Sequence, residues 1–212
     1  MNAQLIDFMG TDLSVVNAAR VSFAKESDEF SDKDAKLINY LAKHNHWSPF
    51  GHASIQLHIK APVFVARQLV KHQVGLVWNE VSRRYVDDEV EFYEPEDWRG
   101  APQNSKQGSS SEKIDINPSK MMVDDYEQVL SSAKWAYEEL LRKGVCPEQA
   151  RMVLPQSMMT EWYWSGTLMA FARVCNLRCK PDTQLETQVV ANQIDEIGEE
   201  CFPVSWKALR DG

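Results

Sequence analysis

The densest group of reactive side chains lies between residues 67 and 85. On a helix over 62–72, Arg67, Gln68, Lys71 and His72 share one arc of roughly 140°, opposite Val63, Val65, Ala66, Leu69 and Val70. A solvated helix face usually mixes acids with bases at i,i+4 spacing. This face has two fixed cations, an amide and an imidazole, with no carboxylate. Asn79-Glu80-Val81-Ser82-Arg83-Arg84-Tyr85 follows, so Glu80 is the single acid between Arg67 and Tyr85 in a chain of net charge −8. A planar guanidinium suits bidentate contact with phosphate, and a neighbouring Ser hydroxyl can complete the cradle. Asn79 and Glu80 could read a polar ring such as a nucleobase. The plainer reading is a basic solvated surface in which Glu80 pairs with Arg84 at i,i+4. Arg151, Arg173 and Arg178 form a later basic group beside apolar stretches, which Arg seldom joins without a partner. Salt bridges to the acidic run 87–97 would also explain them.

Other chemistries leave no trace. There is no GxxxxGK[ST], no GxGxxG after a strand, no GxSxG and no HExxH. His44, His46, His52 and His58 could suggest a metal, but no carboxylate shares 48–58 and His58 falls on the polar side of a strand, so none is expected. Cys146, Cys175, Cys179 and Cys201 form no CxxC pair; Cys175 and Cys179 read as small buried hydrophobes on one helix face, and no cysteine nucleophile is visible. The 31 acids against 23 Lys+Arg argue against a nucleic-acid coat, which needs a dominant basic field. No apolar run approaches the ~20 residues of a bilayer span. The start shows no basic segment leading into an apolar one, so a cytoplasmic protein without membrane partners is expected.

The elements that must carry these residues are partly readable. A length of 212 suits one domain, 1–212. The spacing predicts a helix over 12–24 capped by Asp12, and a second from Ser31 with Leu37, Ile38 and Leu41 as its stripe. Residues 54–60 alternate as a half-buried strand, and Pro62 fits the first turn of the next helix. A Ser/Gln/Lys/Pro/Gly-rich stretch at 101–119 reads as a mobile surface loop. A long helix containing Tyr126, Val129, Ala133, Ala136 and Leu140 stops at Gly144. Then come a strand at 158–164, a helix at 165–177 and a last helix over 183–201, opened by a Thr183…Glu186 capping box and closed near Pro203. The class is helix-rich α+β (α/β).

Arg67-Gln68-x-x-Lys71-His72-Gln73, followed by eight residues and then Ser82 inside Asn79-Glu80-x-Ser82-x-Arg84-Tyr85, resembles the signature of the flavin-dependent thymidylate synthases. Further blocks resemble the same family: Ala18-Ala19-Arg20-Val21-Ser22, His46-x-Ser48-Pro49-Phe50-x-His52, Ala61–Gln68, Ala150-Arg151-x-Val153-Leu154-Pro155, and Asn176-Leu177-Arg178 with Gln184-x-Glu186. The resemblance implies a central, mainly antiparallel sheet flanked by long helices, in a homotetramer binding FAD and dUMP between subunits. It implies NADPH as reductant of the flavin, methylenetetrahydrofolate as carbon donor and dTMP as product. In the family's manner, Ser82, Arg83, Arg84 and Arg151 would hold the dUMP phosphate. Gln68, Lys71 and Glu80 would line the nucleotide, and Arg178 would meet the uracil. Arg178 and Ser82 are the expected catalytic residues. Ser48, Lys71, His72, Gln73, Asn79, Glu80 and Arg173 would face FAD.

The chain departs from the family pattern on the flavin side. Lys71 and Gln73 stand where Arg-His-Arg has its arginines, Gly51 stands where Glu is frequent, and Thr167 and Met169 replace a common Asn and Arg. Arg173, one turn on, could compensate. These changes leave open a relative that binds nucleotide with impaired flavin chemistry. A non-enzymatic domain using its basic helix against acidic partners is the remaining alternative.

Overall fold

The computed structural model describes residues 1–86, 89–102, 109–110, 113–114 and 120–211. Most of the loop expected at 101–119 therefore lies outside the described residues. The order is β1 (Asn2–Met9), α1 (Asp12–Arg20), α2 (Asp32–Lys43), β2 (Ser54–Pro62), α3 (Val63–Leu69), β3 (Leu76–Glu80), α4 (Lys120–Arg142), α5 (Pro147–Ala150), β4 (Met159–Thr167), α6 (Leu168–Arg178), α7 (Leu185–Cys201) and α8 (Pro203–Asp211). The four strands form one sheet, β1-β2-β4-β3, with every pairing antiparallel. The fold is α+β.

The alternation of β2 sets the inside of the sheet. Ile55, Leu57, Ile59 and Ala61 are buried, and Leu57 and Ile59 pair with Trp164 and Trp162 of β4. From β3, Trp78 stacks on Trp162 with ring centroids 4.4 Å apart. Phe171 and Val174 of α6, Ile194 of α7 and Trp206 of α8 pack into the same core. Gln56, His58, Lys60, Glu161, Tyr163 and Ser165 occupy the opposite, polar face.

Several boundaries differ from the sequence reading. Thr11, not Asp12, caps α1, with Ser14 completing a capping box. Asp12 instead accepts from the N–H groups of Val204 and Ser205 at 3.0 and 2.8 Å, tying the start of α8 to α1. The expected helix over 12–24 ends at Arg20, followed by a 3-10 turn, Val21–Phe23. The Thr183…Glu186 box does not form. Gln184 is the N-cap of α7, the Thr183 hydroxyl donates to the Leu177 carbonyl, and Glu186 is paired with Arg99.

The helix expected over 62–72 is also shorter. Pro62 ends β2 and caps α3, which stops at Leu69 with Val70 as its C-cap. Lys71, His72 and Gln73 therefore lie in the turn leading to β3, where Gly75 takes φ +77°, a conformation that favours glycine. A Cβ on Gly166 would run into the Gly75 carbonyl and the Leu76 side chain, so β4 needs its glycine to let this turn approach. The antiparallel sheet implied by the family resemblance is present. β1, β3 and α8 were not anticipated.

Candidate active site

The turn after α3 and the last turn of α6 bring together residues 106 positions apart. Arg178 Nε donates to His72 Nε2 at 3.0 Å, which places the neutral imidazole's proton on Nδ1. Burial, then the charges of Arg178 and Arg173, hold His72 below its ordinary value of 6.5. Burial lowers Arg178 as well, yet a guanidinium stays charged at any working pH. Next to this pair, the Gln68 amide donates to Gln184 Oε1, and its own oxygen accepts from Thr187 Oγ1 at 3.1 Å. Gln68 is thus fixed by α7 at both ends of its amide.

Gln68, Arg178 and Gln184 open onto a cavity of about 610 Å³, which Arg99, Lys180 and Asp182 also line. Among the described residues three cations face it against one acid. Arg99 and Lys180 were missed from the sequence. Arg99 follows directly on an acidic run and, like Lys180, belongs to none of the motif blocks.

The second predicted group lies elsewhere. Glu80, at the end of β3, accepts from Thr160 Oγ1 at 2.8 Å and from Trp78 Nε1 at 3.3 Å. The i,i+4 pairing of Glu80 with Arg84 is replaced by these contacts. Beyond β3 the chain makes a turn in which Ser82 Oγ accepts from the backbone N–H and Nε of Arg84, and the Ser82 carbonyl accepts from Tyr85 and Val86. The Arg84 guanidinium lies over the Tyr85 ring, 4.9 Å from its centroid. Arg83 donates to the Glu89 carbonyl at 3.2 Å and lines a separate cavity of about 410 Å³ with Lys60, Thr160 and Glu161. None of Glu80, Ser82, Arg83 or Arg84 lines the Gln68–Arg178 cavity. Within one chain the two groups do not meet.

The remaining candidates are exposed. Arg151 makes a 3.3 Å contact to the Glu148 carbonyl. Ser48, Lys71, Gln73, Asn79 and Arg173 all face outward. Exposed apolar residues stand beside them: Trp47 next to Ser48, Val74 next to Gln73, Val81 next to Glu80, Tyr85 next to Arg84, Met152 next to Arg151. The histidines do not converge, since His44 packs on Tyr40 at 4.3 Å while His58 pairs with Glu161 at 3.0 Å on the polar sheet face. Among the described residues no group of three or more His, Cys, Asp or Glu could hold a metal, and no helix is long and apolar enough to cross a membrane.

The family model described as thymidylate synthase complementing protein matches residues 4–204. The flavin-dependent thymidylate synthase of Thermus thermophilus is 40% identical over 208 residues, covering 98% of this chain and 75% of the relative. That of Kosmotoga olearia is 39% identical over 207 residues, covering 97% and 88%. Among solved structures, the UMP/dUMP methylase PolB from Streptomyces cacaoi, bound with 5-Br dUMP, superposes with a TM-score of 0.86 at 30% identity, covering 99% of this chain and 94% of that one. Match and fold extend over nearly the whole chain, through both halves of the candidate site, and the chain belongs to the flavin-dependent thymidylate synthase family.

Proposed function

We propose that this chain catalyses the reductive methylation of dUMP to dTMP, with methylenetetrahydrofolate as carbon donor and NADPH as source of reducing equivalents. The observation that carries the reading is the cavity where Arg178, anchored on a neutral His72, stands beside the pinned amide of Gln68. An amide and a guanidinium offer donors to the uracil carbonyl oxygens. A fixed cation at the ring favours its anionic form and makes C5 a better nucleophile. No cysteine lines the cavity among the described residues, which suits a route in which no thiol adds to the ring.

In this reading Ser82, Arg83 and Arg84 hold the phosphate with Arg151 of the partner subunit, while Gln68, Lys71 and Glu80 flank the nucleotide. The separation of the Ser82–Arg84 turn from the Arg178 cavity supports a site completed between copies of the chain. So do the exposed apolar residues interleaved with the site residues, since contiguous exposed apolar surface marks interaction faces. A homotetramer with four such sites accounts for both.

The chemistry of these residues suits FAD: Lys71 and Arg173 supply positive charge near His72, and Ser48, Gln73 and Asn79 are exposed neutral hydrogen-bonding groups. With His72 and Glu80 they would hold the flavin, which when bound supplies the hydride that completes the new methyl group. The chain's own part is to bind and orient the pyrimidine, to keep His72 unprotonated beside Arg178, and to exclude water from the ring.

Purified protein given dUMP, FAD, NADPH and methylenetetrahydrofolate is expected to form dTMP, with turnover lost when any one is left out. Binding of dUMP without flavin-dependent turnover would overturn the catalytic reading.

A further inference from the structure

Arg99 reaches the Gln68–Arg178 cavity from a part of the chain that no site assignment includes. Its strand-like segment is fixed by several contacts. Tyr126 of α4 donates to the Tyr93 carbonyl at 2.7 Å, and Trp98 meets the Tyr126 ring edge-on at 5.4 Å. Arg99 pairs with Lys113 in an isolated antiparallel bridge, with Ile114 N–H donating to the Trp98 carbonyl and Ser110 N–H to that of Gly100, both at 2.9 Å.

The side chain is fixed as well. Arg99 Nε donates to Ser109 Oγ at 2.8 Å, and Nη2 to Glu186 Oε1 at 2.6 Å. Glu186, in the first turn of α7, is only 5% exposed. Burial alone would push its carboxyl up, but the Arg99 hydrogen bond, its own backbone N–H, the Arg99 charge and the nearby Gln184 side chain together hold it below its ordinary value of 4.5. Its other oxygen, Oε2, is buried without a hydrogen-bond partner.

The charges on either side of Arg99 differ. Beyond it lies a cavity of about 830 Å³ lined by Glu91, Glu94, Glu96, Asp97 and Glu186 against Lys113, which pairs with Asp97. On the near side Arg178 and Lys180 outnumber Asp182. Arg99 lines both cavities, and the balance of charge favours approach of an anion from the near side. We propose that Arg99 is a substrate-binding residue of the Gln68–Arg178 cavity, held in place by the buried carboxylate of Glu186, and that it contributes a further cation to recognition of the anionic nucleotide. The proposal rests on the nucleotide reading of that cavity.

The test is calorimetric titration of the full-length protein with dUMP and with deoxyuridine, at two or more salt concentrations. Wild type, Arg99→Met, Arg99→Lys and Glu186→Gln are compared, each with its Tm. Arg99→Met is expected to bind dUMP on the order of tenfold to a hundredfold more weakly, with a shallower salt dependence. Glu186→Gln, which keeps the cation but loosens its anchor, is expected to fall between Arg99→Met and wild type. Loss confined to dUMP assigns Arg99 to the phosphate, and equal loss for deoxyuridine assigns it to the base or sugar. Arg99→Lys separates the charge from the fork, retaining the salt slope while losing affinity. Unchanged dUMP affinity and salt slope in Arg99→Met, whatever its Tm, would overturn the proposal. Failure of the wild type itself to bind dUMP would instead sink the nucleotide reading on which it rests.

Discussion

His72 accepts the Nε–H of Arg178 across 3.0 Å, and burial with two adjacent guanidinium groups holds that imidazole below its ordinary value of 6.5. The acceptor exists only while His72 is neutral, so the placement of Arg178 depends on a proton. Protonation would remove the lone pair at Nε2 and set a third cation beside Arg178 and Arg173. With a folded-state value below 6.5, the unfolded chain binds the proton more readily. His72 therefore contributes stability that is fully present above pH 6.5 and lost as pH falls through the folded value. Affinity for dUMP is expected to fall over the same acid range. His72→Ala should lower affinity at neutral pH and flatten that acid limb. Parallel pH profiles for the two proteins, measured by titration with dUMP, would show that the pair does not govern binding.

Arg178 itself is tested by charge and by shape. Arg178→Ala is expected to weaken dUMP binding on the order of tenfold to a hundredfold, as for loss of a charged hydrogen bond. It should lower kcat as well if the cation stabilises the ionised uracil. Arg178→Lys restores charge but not the guanidinium fork that can meet His72 and the ring together, so it should recover little of kcat. A Lys variant with wild-type kcat and KM would show that only net charge matters here.

The contrast between what was readable and what was not follows from where the information lies. The β2 strand was legible because Ile55, Leu57 and Ile59 alternate against one buried face. The β1 strand was not, because a register shift between Leu5 and Asp7 breaks its alternation. The β3 edge strand has only five residues, with Val77 and Asn79 exposed. Pro203 was taken as a stop, whereas it opens α8, a position that proline tolerates because its missing N–H would be unpaired there anyway. Within the site, Gln68 and Arg178 were found from motif blocks, but their joint cavity depends on α3, α6 and α7 meeting. Lys71 and His72 were placed on the arc of a helix that ends before them. Arg99 was invisible as a site residue because its partner, Glu186, lies 87 residues away.

The packing of α7 on α8 gives a stability prediction independent of the site. A Cβ on Gly198 would overlap the Trp206 ring atoms Cε2, Cδ2 and Cζ2. That ring cannot swing aside freely, because Trp206 Nε1 donates to Asp195 Oδ1 at 2.7 Å. Overpacking of this kind costs about 1–3 kcal/mol. At about 2–4 °C per kcal/mol for a chain of this size, Gly198→Ala should lower Tm by several degrees. Thermal unfolding followed by circular dichroism checks this, and an unchanged Tm would mean that the two helices separate at little cost.

The flavin side makes the opposite kind of prediction, a gain. Gln73 is exposed in the turn after α3, where the family pattern has arginine, and it makes no ionic contribution to the surface formed by Lys71, His72 and Arg173. A guanidinium there would add a fixed cation with donors suited to a diphosphate. Gln73→Arg is therefore expected to bind FAD severalfold more tightly, while dUMP affinity, governed by Gln68 and Arg178, stays within error. Titration of flavin fluorescence, with dUMP calorimetry alongside, separates the two effects. If FAD affinity does not rise, Gln73 does not face the flavin diphosphate, and Arg173 becomes the residue to replace next.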